Sequence, residues 1–538
     1  MKDNEFKQIF PFQQPRKLQR TLIEKICEAY EEGYKHIVIN APTGIGKSVI
    51  GLSIANWFTG YTTPENCISS AYILTSQKLL QDQYVKDFNL PTIKGRDNYT
   101  CLYNTLKTCA ESDCILKHWT PAKRKNNCKK CLYYDARDYF YNDSSIGILN
   151  YAYFLNMTMT DLQPKRKLLI LDECHNAELM LLNFSTVIID KKQCSYLGMY
   201  DAILHFPSES ASDEEKFDWL FNTIFPDLLE QKAGLDDTFS NNDTDDMDFK
   251  MFKLYKHLTE LCCNIENIKA EYNEGKPCAV LQDSDKSISF KPIFGKSLAK
   301  KYLFPYAEYT LSMSATVLSK DQYCRVMGMD SNETKFFKLP SLFPVKNRPV
   351  YSMNVGSMSW KNKQQTYPKL AKVVYNILKK YKNKRGIIHT VNYETAEYII
   401  NYITDQDYKM SKRLIMPRGK NRDDNLAFFH KSTKDDLVLI SPSLQEGIDL
   451  KDELSRFTVI CKMPYASLAD EWVKKRMELS PKWYGEQTIM NLVQMSGRSV
   501  RTETDHAETY ILDSDFNWFF KKNKNKFPIW WKDSVILK

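Results

Sequence analysis

Residues 41–48 read APTGIGKS, and they stand between two unlike stretches. Upstream, residues 34–40 (YKHIVIN) are a short β-branched apolar run, the pattern of a buried strand. Downstream, residues 48–58 (SVIGLSIANWF) carry the apolar spacing of a helix. A strand, a glycine-bearing loop and a helix opening on Lys47 and Ser48 are together the parts of a phosphate cradle. Gly44 and Gly46 let the backbone turn its N–H groups inward. Lys47 brings positive charge to the β- and γ-phosphates, Ser48 offers a hydroxyl to Mg²⁺, and the helix N-terminus adds its dipole. Thr43 completes the compact A-x-T-G-x-G-K-S form.

Residues 71–76 (AYILTS) predict a second strand, followed by a helix over QKLLQDQYVKDF. Residues 167–176 (KLLILDECHN) predict another strand that ends in Asp172 and Glu173. An aspartate at the carboxyl edge of a strand stands where α/β sheets hold ligands. Asp172 is therefore expected to hold Mg²⁺ through water, and Glu173 to orient or deprotonate the attacking water. Cys174 and His175 point to opposite faces of a strand end, so His175 reads as a polar coupler to a second domain. Residues 180–300 turn mostly helical, with the acidic stretch LDDTFSNNDTDDMDF as a solvated loop. YTLSMSATV at 309–317 returns to α/β, and from about 345 a second α/β domain carries the strands RGIIHT, LVLISP, FTVICKM and ETYILD. Such alternation predicts parallel sheets with helices on both faces.

The chain's 538 residues suffice for three or four domains. No apolar run reaches the ~18 residues that cross a bilayer. The opening MKDNEFKQIFPF lacks a signal-peptide core, so an intracellular, cytoplasmic protein with no membrane partner is expected. A net charge of +9 favours a polyanionic partner. Of 14 cysteines, five fall between residues 101 and 131, in a basic segment with little strand or helix period. In a reducing compartment that cluster reads as metal binding. Thiolates suit zinc or an iron–sulfur cluster, and spacing alone does not choose between them.

APTGIGKS, LDECHN, LSMSATV, GIIHTVNY, SLQEGIDL and LVQMSGRSVR occur in this order. They resemble the ordered motifs of superfamily 2 helicases, specifically the XPD/DinG-like branch. GRDNYTC, CLYYDAR and LNYAYFL resemble its iron–sulfur members. The chain has DECH where that branch usually shows DEAH, with the Asp, Glu and His retained. The resemblance implies two RecA-like parallel-sheet motor domains, the first interrupted by a small Cys-rich iron–sulfur insert and a mostly helical arch. It divides the chain into a first motor domain (1–97, 136–180 and 301–344), the iron–sulfur insert (98–135), the arch (181–300) and a second motor domain (345–538).

The implied activity is ATP-dependent DNA unwinding by a monomeric motor moving 5′→3′ on single-stranded DNA and acting at duplex junctions. The alternative is a nucleic-acid-stimulated ATPase that strips proteins or remodels RNA without processive unwinding. Arg16 and Gln19 of FPFQQPRKLQ would read the adenine. Ser314, Ala315 and Thr316 would link nucleotide state to domain movement. Gln494, Arg498 and Arg501 would reach the γ-phosphate from the second domain, and Glu446, Gly447 and Asp449 would sense nucleotide and nucleic acid together. Cys101, Cys109, Cys114 and Cys131 would hold a [4Fe–4S] cluster, with Cys128 able to replace a middle ligand. Thr75, Ser76, Gln77, Asn150 and Tyr151 are the expected DNA contacts in the first domain, since hydroxyls, amides and ring faces grip a single strand without reading its sequence.

Overall fold

The computed structural model describes every residue except 61–69, 117–120, 129, 161, 242–248, 443, 445–449, 451, 498, 501–503 and 538. In chain order the first domain and its insert contribute β1 (His36–Asn40), β2 (Ala71–Thr75), β3 (Ile146–Asn150), β4 (Arg166–Asp172), β5 (Val187–Asp190), β6 (Cys278–Asp283), β7 (Ser287–Pro292), β8 (Ala307–Ser314) and β9 (Thr334–Lys338). The second domain contributes β10 (Val350–Gly356), β11 (Gly386–His389), β12 (Leu414–Ile415), β13 (Val438–Ser441), β14 (Phe457–Ile460), β15 (Glu508–Asp513) and β16 (Val535–Leu537).

Two parallel sheets result, ordered β3-β2-β4-β8-β1-β9 and β12-β13-β11-β14-β15-β10-β16. Their central strands are apolar on both faces because helices cover both. Along β4, Leu169 and Leu171 join one core while Leu168 and Ile170 join the core on the opposite face. β1 and β4 flank β8 at the centre of the first sheet, which brings the phosphate loop, the acidic pair and the Ser314–Thr316 turn to one edge.

Between β5 and β8 the helices Asp213–Trp219, Phe225–Asn241 and Phe249–Asn273 supply the expected helical content. The insert also holds a three-stranded antiparallel sheet, β5-β7-β6, which the helical expectation omits. Ile288, Phe290 and Pro292 are buried at alternate positions of β7, with Phe290 and Ile288 facing the helices' core. The Cys-rich segment forms short helices, Asp113–Leu116, Pro121–Asn127 and Leu132–Asp138. It packs Cys101, Cys109 and Tyr133 onto the first domain's core instead of burying a core of its own. Among the described residues, no helix is long and apolar enough to cross a membrane.

Candidate active site

The phosphate loop is braced from behind. Gly44 and Gly46 have φ of 84° and 83°, in the left-handed region that glycine adopts without a Cβ clash. Gly46 caps the helix Lys47–Thr59. A Cβ on Gly46 would lie 2.4 Å from the side-chain amide nitrogen of Gln19. That amide donates to the Ile45 carbonyl at 2.8 Å, and its oxygen accepts the Arg16 backbone N–H at 2.8 Å. The Arg16 guanidinium donates to the Gly44 carbonyl at 2.7 Å. Arg16 and Gln19 thus hold the shape of the loop.

The acidic pair faces it. Glu173 has φ of 47°, and its Oε1 stands 3.7 Å from Lys47 Nζ. Asp172 is buried, and its carboxylate accepts the Tyr84 hydroxyl at 2.8 Å and the Glu173 N–H at 3.0 Å. Burial, then the charge of Glu173, push Asp172 up to about 6, while Lys47 and the Tyr84 hydrogen bond pull it back. A divalent cation at this carboxylate would favour its ionised form.

His175 joins the two domains. Its Nδ1 is 2.8 Å from the Ser314 hydroxyl and 3.4 Å from Glu173 Oε2. Ser314 in turn lies 3.2 Å from the Thr316 hydroxyl. From the second domain, the Gln494 amide donates to Thr316 Oγ1 at 3.1 Å and lies 3.3 Å from His175 Nε2. Three separated motifs therefore meet at one imidazole, on the wall of a cleft of about 520 Å³ between the domains. Thr43, Gly44, Gly46, Lys47, Ser48, Asp172, Glu173, His175 and Gln494 all line this cleft.

Glu446, Gly447, Asp449, Arg498 and Arg501 lie outside the described residues. Thr75 and Tyr151 are fully buried, so they have no surface to offer a DNA strand in this conformation. Ser76 and Gln77 line the nucleotide cleft, and Asn150 caps the helix Tyr151–Met159 by accepting the Tyr153 N–H at 2.8 Å. The expected strand contacts thus divide between core, cleft wall and helix cap. Tyr84, His430 and Trp530 complete the site without having been singled out in the sequence.

The five clustered cysteines form no disulfide and share one neighbourhood. Burial and the neighbouring Cys131 and Cys101 push Cys109 up to about 12. Burial also raises Cys114 and Cys128, both of which lie near Cys101 and Cys131. Arg96 stands by Cys114, and Arg124 by Cys128. Soft sulfur donors beside cations suit a thiolate-bound, net negative iron–sulfur cluster in kind. In spacing, no group of three or more His, Cys, Asp or Glu among the described residues is set to hold a metal ion.

Residues 374–534 match the family described as the helicase C-terminal domain, and residues 12–199 match the family described as type III restriction enzyme, res subunit. The ATP-dependent DNA helicase CHL1 of Saccharomyces cerevisiae is 22% identical over an alignment covering 75% of this chain and 57% of its own length. A probable ATP-dependent helicase of Methanocaldococcus jannaschii is 22% identical, covering 97% of this chain and 95% of its own. The chain thus spans little more than half the length of the yeast relative. Among solved structures, an XPD helicase aligns over 98% of this chain and all of its own with a TM-score of 0.62 at 16% identity. Xpd4 of S. tokodaii aligns over 97% of this chain and all of its own with a TM-score of 0.57, also at 16% identity. The fold is that of the XPD helicases. In sequence the chain is similar to ATP-dependent helicases over both of its α/β domains.

Proposed function

We propose that this enzyme translocates 5′→3′ on single-stranded DNA and couples Mg-ATP hydrolysis to opening the duplex ahead of it. The observation that supports this most is the convergence of Gln494, Thr316 and Ser314 on His175, which ties the second domain to the catalytic edge of the first. Lys47 would neutralise the β- and γ-phosphates, and Glu173 would orient the attacking water. Arg498 and Arg501 would meet charge developing on the γ-phosphate when the domains close, with Glu446, Gly447 and Asp449 sensing nucleotide and nucleic acid. Arg16 and Gln19 would add adenine recognition to their bracing of the loop. Ser48 and Asp172 would hold Mg²⁺, which supplies charge neutralisation between the phosphates.

Cys101, Cys109, Cys114 and Cys131, with Cys128 as the alternative for a middle position, would hold a [4Fe–4S] cluster, which cross-links the segment when bound. The segment and the helical insert would flank the strand that the motor pulls.

The test is opening of 5′-tailed and 3′-tailed duplexes by protein purified without oxygen, with ATP turnover followed on the same DNA. Opening of the 5′-tailed duplex is expected. Opening of only the 3′-tailed duplex would reverse the polarity, and DNA-stimulated turnover without opening of either would favour a remodelling ATPase.

A further inference from the structure

The second domain carries a helical hairpin, Glu471–Leu479 and Pro481–Ser496, joined at Ser480. Its second helix brings Gln494 to His175. Its first helix docks on the insert. The Trp472 indole N–H donates to the Pro292 carbonyl at 2.9 Å, and Lys475 pairs with Asp213. Arg476 donates to both carboxylate oxygens of Glu178, at 2.8 Å each, and also to the Ile293 carbonyl. The Arg476 side chain is 0% exposed, and its guanidinium lies 4.4 Å from the Phe294 ring centroid, near Trp472 and Trp483. Glu178 Oε1 also accepts the Gly295 N–H at 3.1 Å.

The position of Glu178 gives this contact its meaning. It stands three residues beyond His175, on the helix Ala177–Phe184 that leads from the acidic pair to β5, the first strand of the insert. One hairpin therefore grips both ends of the stretch 175–178, and through Pro292 and Ile293 it also grips the end of β7. A stacked guanidinium that reaches a carboxylate through one nitrogen and a backbone carbonyl through the other is geometrically specific. Its net stabilisation is modest, because burying both charges offsets their attraction. Such a pair is better suited to fixing relative position than to adding stability.

We propose that Arg476 and Glu178 are positioning residues, the joint through which movement of the second domain reaches the helical insert. This rests on the motor function proposed above. As the second domain closes on nucleotide, the Gln494 end of the hairpin shifts against His175, while Arg476 keeps its hold on Glu178 and the 292–295 turn. The hairpin then pivots at this anchor and carries β6 and β7 with it. Breaking the joint leaves the nucleotide site intact and disconnects the insert.

The test is the double variant Glu178→Leu/Arg476→Met, which removes both charges together and fills their space. KM for ATP and turnover without DNA should match the parent, while base pairs opened per ATP fall roughly tenfold. Arg476→Lys, which keeps the charge and loses the planar group that reaches Glu178 and the Ile293 carbonyl at once, should fall between the two. A folded double variant with the parent's base pairs per ATP would overturn the proposal, and so would a raised KM for ATP. If the double variant does not fold, Arg476→Lys decides by the same ratio. Absence of DNA-stimulated turnover in the parent would instead refute the motor function itself.

Discussion

Asp172 sits where burial and charge oppose each other. Its carboxylate is fully enclosed beside Glu173, yet it must be ionised to hold a cation. With Asp172 at about 6, kcat/KM for ATP should rise as pH increases through that region, because the protonated form is the inactive one. Tyr84→Phe removes the hydrogen bond that favours the ionised form. The acidic limb should therefore move to higher pH, with activity near pH 8 reduced less than activity near pH 6; an unmoved limb would show that Asp172 does not set it. The loop and acidic pair were legible in sequence because each is a contiguous motif with local backbone demands. Tyr84 was not, since it reads as one more apolar position on a helix until the fold brings it to Asp172. The burial of Thr75 and Tyr151 was not legible for a related reason: standing beside exposed motif residues does not fix which way a side chain points, and both point into the core.

At the scale of elements, the Cys-rich segment leans on the first domain through Cys101, Cys109 and Tyr133, with Arg96 4.9 Å from the Tyr133 ring centroid and Arg124 3.5 Å from that of Tyr134. Its short helices have few apolar contacts of their own, so a bound cluster should dominate its order. Protein prepared without oxygen should carry about four irons per chain. Cys101→Ser or Cys131→Ser should lose the iron and strand opening while some ATP turnover survives; retention of iron in both variants would refute the assignment. Cys128→Ser should keep the iron; its loss there, with retention in Cys109→Ser, would exchange the two ligands. The sheet β5-β7-β6 escaped the sequence because its first strand lies far from the other two, across long helices that dominate the periodicity of the insert. The parallel strands of the motor domains were easier to read, since burial on both faces leaves continuous apolar runs.

Across the whole molecule, two parallel sheets place their catalytic segments around one cleft, while the insert is tied to both domains. Sequence order alone indicated the two domains, but not the hairpin that joins the second domain to the insert, because Arg476 and Glu178 are 298 residues apart. With a net charge of +9, affinity for single-stranded DNA should fall steeply with salt, roughly as the 0.7 power of salt concentration for each phosphate contacted. A flat response in a binding titration would make the basic balance incidental. The most direct measurement follows ATP turnover and opening of a 5′-tailed duplex together, in the parent and in Glu173→Gln. The parent should open duplex only while it consumes ATP, and Glu173→Gln should bind ATP yet neither hydrolyse it nor open DNA beyond what binding alone releases. Parental turnover or parental opening in Glu173→Gln would contradict the assignment of this cleft as the site whose hydrolysis drives the motor.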